Sequence, residues 1–177
     1  MRKLFVVPAL ALGLAVIVAG CGTPQRQEDE VQGALKKFRS KDPSLKKFFD
    51  DSAGYVIFPD VGKGGIGIGG AYGTGEVYEG GKFIGRASIT QASIGFQLGG
   101  QSFRELIFLK DKKALNEFKL GSYEFDATLS AVAVKAGAAT TADYSKGVAV
   151  FTMTKGGLMY EASVGGQKFK YYAGKGG

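Results

Sequence analysis

The chain has 177 residues, 45% apolar and 22% charged, the composition of one globular domain. It has no His, no Trp and a single Cys, which removes the commonest general base, the commonest zinc ligand and any intrachain disulfide, and with them most hydrolytic and metal-dependent chemistry. Its 23 Lys and Arg against 16 Asp and Glu give a net charge of +7, a balance that points to nucleic acid or to an anionic membrane surface.

The N-terminus chooses between these. Arg2 and Lys3 precede residues 4–20 (LFVVPALALGLAVIVAG), which carry no charge and end in small residues before Cys21. This is the pattern of a secretory signal, slightly short for the ~20 residues of a spanning helix. Val18-Ala19-Gly20-Cys21 resembles the lipobox of bacterial lipoproteins, in which cleavage precedes the Cys and acyl chains are added to it. The expected division is a signal peptide over 1–20, a lipidated tether over 21–30 and a folded domain over 31–177. At ~0.8 kcal/mol per buried methylene, several acyl chains on Cys21 anchor the protein effectively irreversibly. Gly22 after the Cys resembles lipoproteins sent on to the outer membrane, so the expected location is the cell envelope, facing the periplasm or the cell surface. Nucleic acid is not an expected partner there. Without Arg2 and Lys3 the net charge is +5.

After the polar stretch 22–30, Val31, Ala34, Leu35 and Phe38 recur at helical spacing, which predicts an amphipathic helix from about Asp29 to Arg39. In KDPS, Asp42 can cap and Pro43 can take the first helical position, starting a second helix that buries Leu45, Phe48 and Phe49 and ends near Ser52. From Tyr55 the pattern changes to period two. Strands are expected at 54–59, 65–79, 82–98, 102–110, 122–137, 147–154 and 158–172, with hairpins at Gly80-Gly81 and around Lys155-Gly156-Gly157. Residues 111–121 read as a short helix capped by Asp111 and stopped by Gly121. The small, polar stretch 136–146 reads as a mobile loop.

Of the 29 glycines, 15 lie between Gly54 and Gly100. In residues 64–78 the odd positions 65, 67, 69, 73 and 75 are all Gly, leaving one strand face bare, which suits sharp coiling or close approach of another backbone. The fold class is therefore mainly β with α: a small antiparallel β-barrel core with about three short helices packed on its surface, a two-sheet sandwich being the alternative.

Motif matches are weak. Gly65-Ile66-Gly67-Ile68-Gly69-Gly70 satisfies G-x-G-x-x-G, but no helix follows to hold a pyrophosphate. Gly62-Lys63-Gly64 has no Ser or Thr after the Lys and is no P-loop. Ser44-Leu45-Lys46-Lys47 spells S-x-x-K, the acylating pair of penicillin-binding enzymes, without its companion elements. No paired carboxylates suggest acid/base work, so no enzyme activity, metal or cofactor is expected. The informative feature is residues 33–49, where Lys36, Lys37, Arg39, Lys41, Lys46 and Lys47 stand against Asp42 alone, a local +5. These cations lie away from the apolar stripes, so two helices can pack on the sheet and present a cationic face. That face suits anionic headgroups at ~1 kcal/mol per basic residue; a plain solvated face is the other reading. Sheet lysines such as Lys82 and Lys155 are expected to matter little. Lys63 is a further headgroup candidate, at the mouth of a barrel.

With these segments laid out, the chain resembles the SYLF domain family of bacterial lipoproteins and eukaryotic membrane-associated proteins. The resemblance is carried by DPSLKKFFDDSAGYVIFPDVGKGGIGIGGAYGTGEVYEGGKFIG, ASIGFQLGGQSFRELIFLKDKKALNEFK, SAVAVKAGAA and GGLMYEASVGGQKFKYY. It implies a SYLF domain over 31–177, a small β-barrel decorated by helices, binding of phosphoinositides or related anionic phospholipids, and no catalysis. The eukaryotic association with actin regulation does not carry over to an exported chain that has no Src-homology-3 or FYVE module. The alternative function is a structural or partner-binding envelope lipoprotein with no lipid ligand beyond its anchor.

Overall fold

The computed structural model of the protein describes residues 24–66, 68–94, 101–121, 123–126, 128–155 and 164–174. Helix α1 spans Pro24–Lys41, starting five residues before the expected Asp29. Residues 24–30 are thus helical rather than an extended tether. Pro24 suits a first turn. The side-chain contacts Gln25 to Asp29 at 3.4 Å and Arg26 to Glu30 at 3.2 Å then supply i,i+4 support that the apolar periodicity does not reveal. Asp42 stops α1 and caps a 3-10 turn at Pro43–Leu45, which leads into α2 at Lys46–Asp51.

Eight strands follow: β1 Gly54–Ile66, β2 Ile68–Glu79, β3 Lys82–Ile94, β4 Gln101–Leu109, β5 Tyr123–Glu124, β6 Val132–Ala133, β7 Val148–Thr154 and β8 Lys168–Ala173. Helix α3, Lys112–Lys119, lies between β4 and β5, capped by Asp111 as expected. The strands form one sheet in the order β5-β8-β3-β2-β1-β4-β7-β6, antiparallel throughout except for β6 beside β7. Gly80 and Gly81 have φ of 55° and 78°, the two positive values a tight two-residue hairpin needs, and they join β2 to β3 as expected.

Three expectations are corrected. First, the strand over 122–137 is broken, because the Asp126 carboxylate accepts hydrogen bonds from the backbone N–H and hydroxyl of Thr128 and turns the chain, leaving only β5 and β6. Second, the strand expected over 158–172 is interrupted by a turn in which Gln167 N–H donates to the Val164 carbonyl and Gly166 has φ of 76°, so that β8 begins only at Lys168 and pairs with β3 and β5; the hairpin expected around Lys155-Gly156-Gly157 lies outside the described residues. Third, the stretch 136–146 is fastened. Ala139 is buried in a 3-10 turn at Ala138–Thr140. Asp42 accepts hydrogen bonds from Gly137 N–H at 3.1 Å and Ala139 N–H at 2.7 Å, and Tyr144 packs 5.2 Å from the Phe48 ring.

The sheet is curled into a half-barrel. Gln167, just before β8, donates to Glu105 on β4 at 3.0 Å. In a flat sheet those strands, four spacings apart, would be ~19 Å from each other. The face carrying both residues is therefore concave. It buries Phe58, Val61, Val77, Ile89, Ile107 and Phe169, and α3 adds Leu115 and Phe118. At the seam, Lys146 ahead of β7 pairs with Asp126 after β5 at 2.6 Å. The convex face of β1, β4 and β7 is covered by α1, α2 and residues 134–144. There Val31, Leu35, Phe38, Leu45 and Phe48 meet Ile57, Leu106, Phe108 and Phe151.

The bare glycine face turns inward at the bend. β1 shifts register between Ile57 and Asp60, and Pro59, which has no N–H to pair, sits in that irregularity. A Cβ on Gly75 would stand 2.3 Å from the Ile57 carbonyl oxygen and 2.7 Å from the Phe58 ring. Gly75→Ala is expected to lower stability by about 3 kcal/mol, the upper end for overpacking against backbone. Gly64→Ala, whose Cβ would meet nothing within 4 Å, is expected to be near neutral; urea denaturation of both variants checks this.

Candidate functional site

The cations of the N-terminal helices divide once their surroundings are known. Lys36, Lys37, Arg39 and Lys41 are all exposed on α1, whose opposite side is buried. Arg39 stacks its guanidinium 4.2 Å above the Phe49 ring. Lys46 is paired with Asp50. Lys47 donates to the carbonyls of Thr140 at 3.2 Å and Ala142 at 3.3 Å and lies 4.9 Å over the Phe48 ring, so it helps fasten the 137–142 turn. Lys63 is half-buried on β1 with the parity of Val61, which places it on the concave side, apart from the helical cations. Cys21 lies outside the described residues.

Two groupings escaped sequence reasoning. Lys37 lines a hollow of about 210 Å³ together with Arg104 of β4, Lys155, Glu30 and Pro59. Lys155, a sheet lysine expected to matter little, is thus a neighbour of the α1 cations, although Asp60 pairs with it at 2.6 Å. Arg104 could have been found from its alternation with Phe103 and Glu105. The second grouping is the convex face of β2, β3 and β8, beyond the reach of α2. Strand register sets out rows there: Glu76–Arg86–Tyr172, Thr74–Ser88–Lys170 and Tyr72–Thr90–Lys168. Tyr72, Tyr172 and nearby Phe83 are 59%, 54% and 46% exposed, large values for aromatics. Arg86 and Phe83 border a hollow of about 260 Å³ with Gln25, Glu28, Glu76 and Tyr78, and an adjoining one with Tyr172, Ala173 and Gly174.

Residues 90–172 match the family described as Ysc84, Las17-binding protein actin regulator. The match takes in just under half of the chain. The SYLF resemblance is borne out over those residues, which run from the end of β3 through β8. A relative 27% identical over 139 residues is Beta cell expansion factor A of Aeromonas veronii. The alignment covers 77% of this chain and 52% of that one, so the chain spans about half the relative's length.

The chemistry of the domain is that of charged and aromatic surfaces. In the S-x-x-K pair, the Ser44 hydroxyl donates to Asp42 while Lys47 is held by the two loop carbonyls, so no nucleophile–base contact forms. Among the described residues, no three His, Cys, Asp or Glu side chains gather in a way that could hold a metal ion, and no helix is long and apolar enough to cross a membrane. Burial holds the Tyr78 hydroxyl protonated well above the usual phenol range, reinforced by its hydrogen bond to Glu76.

Glu105 is wholly buried on the concave side, and burial pushes its carboxyl up to about 8 against the opposing effect of the Gln167 hydrogen bond. A carboxyl whose folded pKa is raised contributes fully to stability below its ordinary value near 4.5. Stability then declines as pH rises from there through about 8. Glu105→Gln should abolish that decline, so that its Tm exceeds that of the wild type at about pH 8.5 and the gap closes toward about pH 5. Thermal melts at both pH values check it; parallel wild-type and variant curves would contradict it.

Proposed function

We propose that the protein is a non-enzymatic envelope lipoprotein, held to the membrane by acylated Cys21, whose SYLF domain binds anionic phospholipid headgroups through the cationic face of α1. The observation that carries this reading is the direction of the α1 cations. Lys36, Lys37 and Lys41 project to solvent from a helix whose other side is fixed to the sheet, and Lys37 meets Arg104 and Lys155 in one hollow. A rigid helix holding several cations on one side of the molecule is suited to a planar anionic surface, at ~1 kcal/mol for each residue near it. The uncharged stretch ending in Val18-Ala19-Gly20-Cys21 supports the anchor. Because the anchor supplies the lasting attachment, weak and salt-sensitive headgroup contacts suffice to orient the domain. Phosphoinositides and bacterial anionic phospholipids share the phosphate chemistry this face recognises.

Residues 22–177 contain every described element. They should sediment with vesicles of phosphatidylglycerol in phosphatidylcholine, less so as salt rises, and not with phosphatidylcholine alone. Changing Lys36, Lys37 and Lys41 together to Gln should weaken binding by about a hundredfold at low salt, from ~1 kcal/mol each. Changing Lys46 should have little effect, because Asp50 already neutralises it. Wild-type binding by the triple variant would contradict the reading.

A further inference from the structure

The hollow beside the start of α1 holds opposite charges that do not neutralise one another. Arg86 and Glu76 are directly opposite on β3 and β2, so their Cβ atoms are ~5 Å apart. Glu28 approaches from α1 to line the same space. Among the described residues, Arg86 forms no ion pair with either carboxylate. Glu76 is nearly fully buried and accepts the Tyr78 hydroxyl at 2.7 Å, while Gln32 donates to that hydroxyl at 3.4 Å. The acid and the phenol ring are thereby held in place. Phe83 forms a wall shared with the adjoining hollow, where Tyr172 lies exposed.

We propose that this hollow is a site for a zwitterionic phospholipid headgroup of the phosphatidylethanolamine class, an assignment that rests on the membrane reading above and adds a second, sheet-borne contact to it. The phosphate goes to the Arg86 guanidinium, which can offer it two parallel N–H donors. The primary ammonium goes to Glu28 and Glu76 and lies against the faces of Phe83 and Tyr78. Two methylenes separate the charges of the headgroup, a length suited to cross-strand neighbours. The carboxylates set the selectivity. A glycerol headgroup would bring no cation to them, and a choline headgroup has no N–H to donate to them. The lipid source follows from position. Gln25 lines the hollow and lies four residues after Cys21, at most about 14 Å of extended chain from the acylated thiol, so the anchor delivers this face to the headgroup layer. Exposed Tyr172 and Tyr72 are residues favoured at that depth.

The test titrates the full protein in maltoside micelles with short-chain dihexanoyl phosphatidylethanolamine, phosphatidylcholine and phosphatidylglycerol, reading the Arg86 side-chain and Gly85 amide resonances. The ethanolamine lipid should give saturable shifts at least about tenfold tighter than the other two, as expected for charge-assisted hydrogen bonds that only it completes. Arg86→Gln and Glu28→Gln, both exposed and remote from the core, should each weaken this binding by about tenfold. The triple Lys36, Lys37 and Lys41 variant should retain it, so loss of anionic-vesicle binding with these shifts intact removes the α1 reading alone. Equal affinity for all three lipids, or unchanged binding by both single variants, overturns the site. Glycerophosphoethanolamine should bind more weakly than the lipid; equal binding would make this a site for a free phospho-amine and overturn the lipid assignment.

Discussion

The buried carboxylate of Asp42 ties the N-terminal helices to a segment far along the chain, a join that Lys47 and the Phe48–Tyr144 contact reinforce. It has no exposed surface, and burial alone would raise its pKa. The Ser44 hydroxyl and the backbone N–H groups of Ala139, Ser44 and Gly137 more than offset this and hold it below the ordinary carboxylate range. Two of those donors belong to Ser44 in the turn that follows α1, and two come from a segment about 95 residues further on. Such a group favours the folded state above its unfolded pKa, and its contribution is lost as pH falls through the lower folded value. With the Lys47 hydrogen bonds and the packing of Tyr144 on Phe48, Asp42 makes the N-terminal helices and residues 134–144 a single cover. Phe48 can then close over Phe108 and Phe151 at ring distances of 5.4 and 5.0 Å.

That cover is partial, and its extent decides what the domain can touch. A curled sheet has a concave side filled by its own side chains and α3, and a convex side that needs a separate layer. The layer is only as wide as α1, α2 and the clamped segment, so it protects β1, β4 and β7 and leaves β2, β3 and β8 facing outward. Along α1, Lys37 lines the hollow at Arg104 of β4, while Gln25 and Glu28 line the hollow at Arg86 of β3.

Much of this architecture could be read from the chain. The apolar spacing of α1, the Asp42-Pro43 start, the Asp111 cap and the Gly80-Gly81 hairpin are local signals, each decided by residues within a few positions, and each is found. The bare glycine parity was legible as a demand for close backbone approach, and Gly75 against Ile57 meets it. What was not legible is non-local. Nothing around Asp42 shows that it receives N–H groups from Gly137 and Ala139, so the small, polar stretch 136–146 read as mobile when it is fastened. The Asp126–Thr128 turn is a local signal that the apolar alternation around it masked, whereas the partners of β8 depend on closing the curl. The charge run at 33–49 was visible, but which of its lysines are already engaged was not. Arg86 acquires meaning only when register sets it between Glu76 and Tyr172.

The most direct test of this account is backbone amide exchange at Gly137 and Ala139 in the wild type and in Asp42→Asn, which keeps the volume but removes the charge and one acceptor oxygen. The account predicts that in the wild type both amides exchange only as slowly as the sheet core opens. In the variant they should exchange on the order of a hundredfold faster, as expected for losing charge-assisted hydrogen bonds, while β1 and β4 amides change far less. Equal protection of the two amides in wild type and variant would contradict the claim that Asp42 holds the convex cover together.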